Sequence, residues 1–427
     1  MIDQTTSESS SNPNLPRPTG RPVYESTLLP TRKRRRIPPW VVIPPLLLLL
    51  LAALYFLVFA PHPRRAVSTA GMVVYAVSPG VQGVSHLWIA HADGTRAHPL
   101  TSGAASDISP VFTADGNQIA FLSNRDSGQN QIFVVDADGK NVSQVTRNAG
   151  AKTQIAYAPG SSTLLGFLSG GTLSYADSAK GDVTLLLPPP AQSSHTNTTD
   201  PGQAQAAAAT VVGFAWKPAD AQGNPGMAAT LDTNGVQTLA ILPDLGSVPH
   251  VTQNDQPGGP PLAAADSLSA AWTPDGSHLA TALLHVLGPP GQKTVSGLVL
   301  LDAQGNLQTR LFLTHPGDVS GPENPVISPD GSQITFEFWR QADLASRTRL
   351  GLFLIPLNGG TPRDLVKGDA GSAQFSADGQ QVFFLVRRSD GGHDLYRINT
   401  DGSQPKRLSD GHADITGYTI SRQAPRP

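Results

Sequence analysis

Cysteine is absent from all 427 residues of this sequence. Its absence excludes a thiolate nucleophile, a disulfide bond and a lipid attached to cysteine, and it is compatible with an oxidising compartment. Glutamate is nearly as scarce, and Glu323 and Glu337 fall in different parts of one repeat. A pair of carboxylates for glycoside chemistry is therefore not indicated.

Charged residues make up only 15% of the chain, and the formal net charge is −2. A nucleic-acid binder normally carries a basic stripe that replaces counterions on phosphates, so no nucleic-acid partner is predicted. The sequence also lacks an H-E-x-x-H zinc motif, a G-x-S-x-G nucleophile elbow and a phosphate-binding glycine loop. We therefore predict no metal, no other cofactor and no serine-peptidase reaction.

The sequence is rich in short apolar runs separated by turn residues. Residues 109–146 read SPVFTADGNQIAFLSNRDSGQNQIFVVDADGKNVSQVT. Asp-Gly between alternating apolar runs is a strong hairpin signal, because glycine adopts positive φ without steric cost. We predict one antiparallel sheet of four strands here, at residues 111–112, 118–122, 131–136 and 141–146.

The third strand of this unit and the glycine after it occur seven times along the chain. The segments are HLWIAHADG, QIFVVDADG, TLSYADSAKG, TLAILPDLG, LVLLDAQG, LFLIPLNGG and DLYRINTDG. A lone four-stranded sheet of this size cannot bury its apolar faces, so such repeats predict blades packed around an axis. The predicted fold is an all-β, seven-bladed β-propeller, with six blades as the alternative if residues 153–252 form something else.

The first strand recurs as well, but the first repeat lacks one. Residues 415–421, ITGYTIS, fit the pattern with no blade after them, and we predict that they close the ring by pairing with residues 72–77. The Ser-Pro-Asp-Gly turn, the Asp-Gly after the third strand and endings such as PKRLS resemble the TolB-like, or WD40-like PD40, propeller family over residues 71–421. That family includes periplasmic scaffolds and the propellers of prolyl oligopeptidases, so the resemblance implies a fold and no single function.

The N-terminal region predicts a membrane anchor. Residues 1–39 are poor in large apolar side chains and predict a disordered cytoplasmic tail that ends in a basic run at 32–36. Residues 40–60 carry no charge and would span roughly 30 Å as a helix, the thickness of a hydrocarbon core. The positive-inside rule then places the N-terminus in the cytoplasm and the propeller outside a bacterial plasma membrane. Residues 61–70 are a linker, and 422–427 form a short tail.

The predicted loops are unequal on the two faces of the propeller. The first-to-second and third-to-fourth turns are short and define the smooth face. The long second-to-third loops, among them residues 340–349, and the blade-to-blade connections define the elaborated face. Binding residues concentrate on loops held by rigid scaffolds, and arginine and tryptophan are common interface anchors. The candidate binding residues on the elaborated face are Arg125, Trp339, Arg340, Arg347, Arg349, Arg387, Arg388 and His393.

These features predict a single-pass membrane protein whose propeller is a non-catalytic scaffold and not an enzyme. Its expected partner is an envelope protein or a cell-surface ligand, and a sensor that relays occupancy through residues 40–60 is a variant of this prediction. The alternative is a propeller enzyme, a hydrolase or lyase, with residues gathered around the central channel from several blades. Convergent carboxylates or histidines in the channel would favour the enzyme.

Overall fold

The computed structural model describes residues 71–80, 83–187, 209–252, 267–286, 295–315, 318, 320–343 and 346–422. All of these residues belong to one compact unit, Ala66–Pro427. The predicted tail, the span at 40–60 and the linker at 61–70 lie outside the described residues. Within the described ranges, no helix is both long enough and apolar enough to cross a membrane.

The described residues form seven antiparallel sheets of four strands each, and each sheet is one blade. Blade 1 contains β1 (Met72–Ser78), β2 (His86–His91), β3 (His98–Pro99) and the C-terminal β28 (Asp414–Ile420). Blade 2 contains β4 (Asp107–Phe112), β5 (Gln118–Ser123), β6 (Gln131–Asp136) and β7 (Ser143–Gln144). Blade 3 contains β8 (Lys152–Tyr157), β9 (Leu164–Ser169), β10 (Thr172–Asp177) and β11 (Val183–Leu187).

The remaining blades follow in chain order. Blade 4 contains β12 (Thr210–Lys217), β13 (Gly226–Thr233), β14 (Val236–Leu242) and β15 (His250–Val251). Blade 5 contains β16 (Ser267–Trp272), β17 (His278–Val286), β18 (Val295–Asp302) and β19 (Leu307–Leu313). Blade 6 contains β20 (Ser320–Ile327), β21 (Gln333–Asp343), β22 (Ser346–Pro356) and β23 (Arg363–Lys367). Blade 7 contains β24 (Ala370–Phe375), β25 (Gln381–Arg387), β26 (His393–Asn399) and β27 (Lys406–Arg407).

The repeated first-to-second turn is held by an aspartate that bonds its own backbone. In blade 5 the Thr273 hydroxyl donates to Asp275 Oδ1 at 2.6 Å, and the Ser277 amide donates to the same oxygen at 3.0 Å. These hydrogen bonds lower the pKa of Asp275 to about 2, and Gly276 supplies the positive φ of 68° that the turn requires. The same hydroxyl-to-aspartate bond occurs in blades 2, 6 and 7, so this turn chemistry explains the Asp-Gly pairs of four blades.

The apolar core lies in layers between neighbouring blades. Val74 and Leu87 of blade 1 pack with Phe121 and Phe133 of blade 2 in one buried cluster. The middle strands face such layers on both sides, so all six residues of β6 are buried. A single blade cannot bury both of its faces alone, and this is the physical reason for the ring.

The C-terminal strand completes blade 1. β28 pairs antiparallel with β1, with Tyr75 opposite Tyr418, which is the ring closure expected from the sequence. Residues 153–252 form most of blade 3 and all of blade 4, so the seven-bladed prediction is confirmed and the six-bladed alternative is wrong.

Two boundaries differ from the sequence prediction. The segment 340–349 was expected to be a loop, but β21 and β22 are eleven residues long each and pair through it, with Gln341 opposite Arg347. Extended backbone persists here because the segment contains neither glycine nor proline to end it. The fourth strand of blade 2 is shorter than expected, 143–144 in place of 141–146, since it is an outer edge with little apolar surface to bury.

Candidate functional site

The eight predicted binding residues fall at the ends of second and third strands, on the elaborated face. Seven of them belong to the adjacent blades 6 and 7, whereas Arg125 lies on blade 2. Trp339 and Arg340 are on β21, Arg347 and Arg349 are on β22, Arg387 ends β25, Arg388 follows it and His393 begins β26. Their role in binding stays a prediction.

Arg349 connects blade 6 to blade 7. Its guanidinium lies over the Trp339 ring at 4.6 Å, its Nε is 2.8 Å from Glu337 Oε2, and its Nη1 donates to Asp369 Oδ1 at 3.2 Å. Asp369 belongs to the connection that leads into blade 7, so these contacts fix that connection. Glu337 is buried, and its desolvation raises the pKa of its carboxyl although the Arg349 charge opposes this shift.

Arg388 and His393 connect blade 7 to the strand that closes the ring. Arg388 Nη1 donates to the Ala413 carbonyl at 2.7 Å and to Asp394 Oδ1 at 3.1 Å. The His393 backbone amide donates to Asp414 Oδ1 at 2.7 Å, and Asp414 is the first residue of β28. Both predicted binding residues therefore hold the polypeptide that enters blade 1.

Arg125 is engaged within blade 2. Its Nη2 donates to both carboxylate oxygens of Asp107 at 2.8 Å, and its guanidinium lies 5.2 and 5.1 Å from the ring centroids of Phe121 and Phe133. Asp107 is fully buried. Arg125 is thus the counterion of a buried carboxylate.

Two of the predicted arginines on blades 6 and 7 are exposed at the surface. Arg340 is exposed, and the Arg387 side chain is 58% exposed with Asp369 no closer than 3.9 Å. We call Arg340 and Arg387 the surface pair. The Arg347 side chain lies outside the described part of the chain.

A second feature, at the centre of the ring, was not predicted. Six of the seven first strands shift register near their middle. At four of these shifts two residues of the first strand lie opposite one residue of the second, and at the other two a single residue lies between consecutive pairs. Such β-bulges often lie beside functional sites because they redirect side chains. The inserted residues, which we call the bulge ring, are Thr416, Ser109, Pro110, Thr153, Gln154, Val212, Asn324, Pro325, Ser372 and Ala373.

Three bulges adopt an unfavourable backbone conformation, and side chains of neighbouring blades hold two of them in place. Ser109, Asn324 and Ser372 have φ of 52°, 50° and 57°, which costs non-glycine residues energy. The Asn324 amide donates to Ser269 Oγ at 2.8 Å, and the Ser372 amide donates to Glu337 Oε1 at 2.8 Å. Glu337 therefore contacts both the bulge ring and the ion pairs of the elaborated face.

The bulge ring borders two cavities in the central channel. One, of about 460 Å³, is lined by bulge residues of blades 1, 2, 3 and 7 and by first-to-second turns such as 158–161. The other, of about 350 Å³, is lined by blades 3 to 6, and Gln154 borders both. Because the first-to-second turns lie on the smooth face, the larger cavity reaches from the bulge ring to that face.

Part of the bulge ring had a signal in the sequence. Proline within a strand marks an edge or a bulge because it cannot donate to the ladder, and Ser109-Pro110 and Asn324-Pro325 lie within the observed first strands β4 and β20. Thr153 and Ser372 follow no such pattern. Among the described residues, no three histidine, aspartate or glutamate side chains come together as a metal site.

Known proteins match parts of this chain. The family model for the N-terminal region of dipeptidyl peptidase IV matches residues 56–175. Dipeptidyl-peptidase 5 of Porphyromonas endodontalis is 34% identical over 90 residues, 20% of this chain and 13% of that protein. Protein TolB homolog of Chlorobium luteolum is 34% identical over 61 residues, 14% of each chain. The chain carries a TolB-like propeller.

The matched segments span far less than two thirds of either relative. A solved structure from a study of two prolyl endopeptidases resembles the TolB-like propeller with a TM-score of 0.52 at 12% identity, over 83% of this chain and 49% of that one. At this identity the likeness concerns the fold alone.

These comparisons correct one prediction. We expected the chain not to be an enzyme. That expectation is wrong, because the matching family model describes part of a peptidase and one relative is named a dipeptidyl-peptidase. The similarity is distant, and the name of the TolB homolog states no activity. The chain is thus similar over part of its length to a peptidase as well as to a TolB homolog.

Proposed function

We propose that this protein is a membrane-anchored, extracytoplasmic propeller that binds an envelope protein or a cell-surface ligand at its elaborated face. The anchor is the uncharged segment 40–60, which follows a basic run. In this proposal that segment tethers the ring to the membrane, and a sensor that relays occupancy through it is one form of the same proposal.

One observation carries the proposed binding face. Seven of the predicted residues come together on blades 6 and 7, where Arg349 and Arg388 hold the backbone rigidly and the surface pair stays open to solvent. A rigid support with exposed arginine is a typical anchor for a partner, because little side-chain and loop entropy is lost on binding.

The experiment compares two double variants of the full-length protein after mild cross-linking in cells and affinity capture. Arg340→Ala with Arg387→Ala removes the surface pair. The control, Lys140→Ala with Lys180→Ala, removes two lysines that are 76% and 70% exposed from third-to-fourth turns on the smooth face. We expect the first variant alone to lose a specific envelope partner. Equal capture by both variants and the unmodified protein would show that the surface pair is not the binding site.

The second candidate function is a propeller enzyme, a hydrolase or lyase, with its site in the channel. The cavity of about 460 Å³ has the size of a small-molecule site, and the peptidase comparisons support the class. Turnover of dipeptide p-nitroanilides or of uronate polymers by the purified full-length chain, lost on substitution of channel residues, would establish it. The absence of turnover in both assays would count against this candidate.

A further inference from the structure

The larger channel cavity is polar, with a single charged residue in its described lining. Its lining contains hydroxyl and amide side chains from four blades, and its one charged residue is Arg422. No carboxylate belongs to the described lining. A guanidinium that borders a polar cavity and has no carboxylate beside it can pair with an anion there.

Arg422 lies just beyond β28, at the end of the cavity nearer the smooth face. Its side chain borders the cavity and is exposed to water, and desolvation by neighbouring protein atoms lowers the pKa of the guanidinium. Arginine nevertheless stays protonated in proteins. The described residues offer Arg422 no hydrogen bond or ion pair, in contrast to Arg125, Arg349 and Arg388 on the other face.

Hydrogen-bonding groups face the same space from the bulge ring. Ser109, Thr153, Ser372 and Thr416 line the cavity, and their hydroxyl groups have no hydrogen bond to another described residue. The amides of Gln154 and Gln374 are oriented by bonds to the carbonyls of Phe214 and Tyr418 at 3.3 and 3.0 Å. The cavity therefore offers one fixed positive charge together with several neutral polar groups.

We propose that this cavity binds a small carboxylate-bearing ligand, with the carboxylate on Arg422 and its hydroxyl or amide groups on the bulge ring. A planar guanidinium donates two parallel hydrogen bonds to a carboxylate. A single arginine balances one negative charge, which fits a carboxylate better than a doubly charged phosphate. The ligand is either a free hydroxy acid or the carboxyl end of a peptide, since both present this chemistry. This site is separate from the partner-binding face proposed above.

Two pairs of probes test the site by isothermal titration with the full-length protein. Gluconate is compared with the uncharged glucitol, and tetraglycine is compared with tetraglycine amide. We expect at least one carboxylate to bind with a dissociation constant of about 1 mM or lower. The dissociation constant of its neutral counterpart should be about 10-fold higher or more. Binding of gluconate alone would identify a free acid, and binding of tetraglycine alone would identify a peptide end.

Three variants assign the binding to the cavity. Arg422→Gln should weaken binding of the carboxylate probe about 10-fold or more. Thr416→Val should weaken this binding less, and Lys140→Gln on an exposed turn should leave it unchanged. Thermal melts confirm that each variant is folded. No binding of either carboxylate, or equal binding by Arg422→Gln and the unmodified protein, would overturn the proposal. The capture experiment on the surface pair can succeed or fail independently of this result.

Discussion

Asp107 is fully buried, and Arg125 Nη2 donates to both of its carboxylate oxygens. Removing the partner of a buried charge is costly, so Arg125→Ala should lower the free energy of unfolding by about 3 kcal/mol. Arg340→Ala, on the same face but exposed, should change it by less than about 0.5 kcal/mol. Urea unfolding of both variants makes the comparison. Equal effects would show that Arg125 is not a structural counterion.

Glu337 should make stability depend on pH. Burial raises the pKa of this carboxyl above its ordinary value of 4.5, so the folded protein holds the proton more tightly than the unfolded chain does. The contribution of Glu337 to the free energy of unfolding therefore falls as pH rises from 4.5 toward the raised pKa. Glu337→Gln should remove this part of the pH dependence. Urea unfolding across mildly acidic pH would contradict the prediction if the two proteins kept a constant difference.

The contact between strand β28 and blade 7 can be tested by removing one hydroxyl oxygen. The Tyr418 hydroxyl contacts the carbonyl oxygens of Phe383, at 2.8 Å, and of Ser372, both in blade 7. Tyr418→Phe should lower the free energy of unfolding by about 1 to 2 kcal/mol, because buried polar groups lose a partner. Tyr396→Phe, on a half-buried tyrosine of blade 7, should change it by less than about 0.5 kcal/mol. Thermal unfolding of both variants makes the comparison. Equal effects would show that strand pairing, and not the Tyr418 hydroxyl, closes the ring.

At the scale of strands, the sequence predicts what local chemistry determines. The third strand of blade 2 was predicted at residues 131–136 and is observed there, because an apolar run between turn residues leaves few alternatives. The contacts of Arg349 could not be predicted, since Glu337 and Asp369 lie 12 and 20 residues away along the chain and only blade packing brings them together. The same holds for Ser372, whose bulge is stabilised by Glu337 on another blade.

The topology of the whole molecule follows from the anchor proposal. Because the sequence has no cysteine, one introduced thiol reports one position. Ser127→Cys, on an exposed part of the loop after β5, should react with a membrane-impermeant maleimide on intact cells or spheroplasts, whereas Ser7→Cys should react only after lysis. The reverse pattern, or labelling of Ser127→Cys only after lysis, would contradict an extracytoplasmic propeller.

Pairing between β1 and β28 joins residues that lie more than 300 positions apart, from Ser78 to Asp414. A ribosome makes β1 early, yet the partner of β1 emerges only after the other six blades have been synthesised. A prematurely terminated product therefore presents an open β1 edge, which is a surface on which proteins aggregate. Pairing with β28 removes this unpaired edge, so ring closure also protects β1 from edge-to-edge association with another chain.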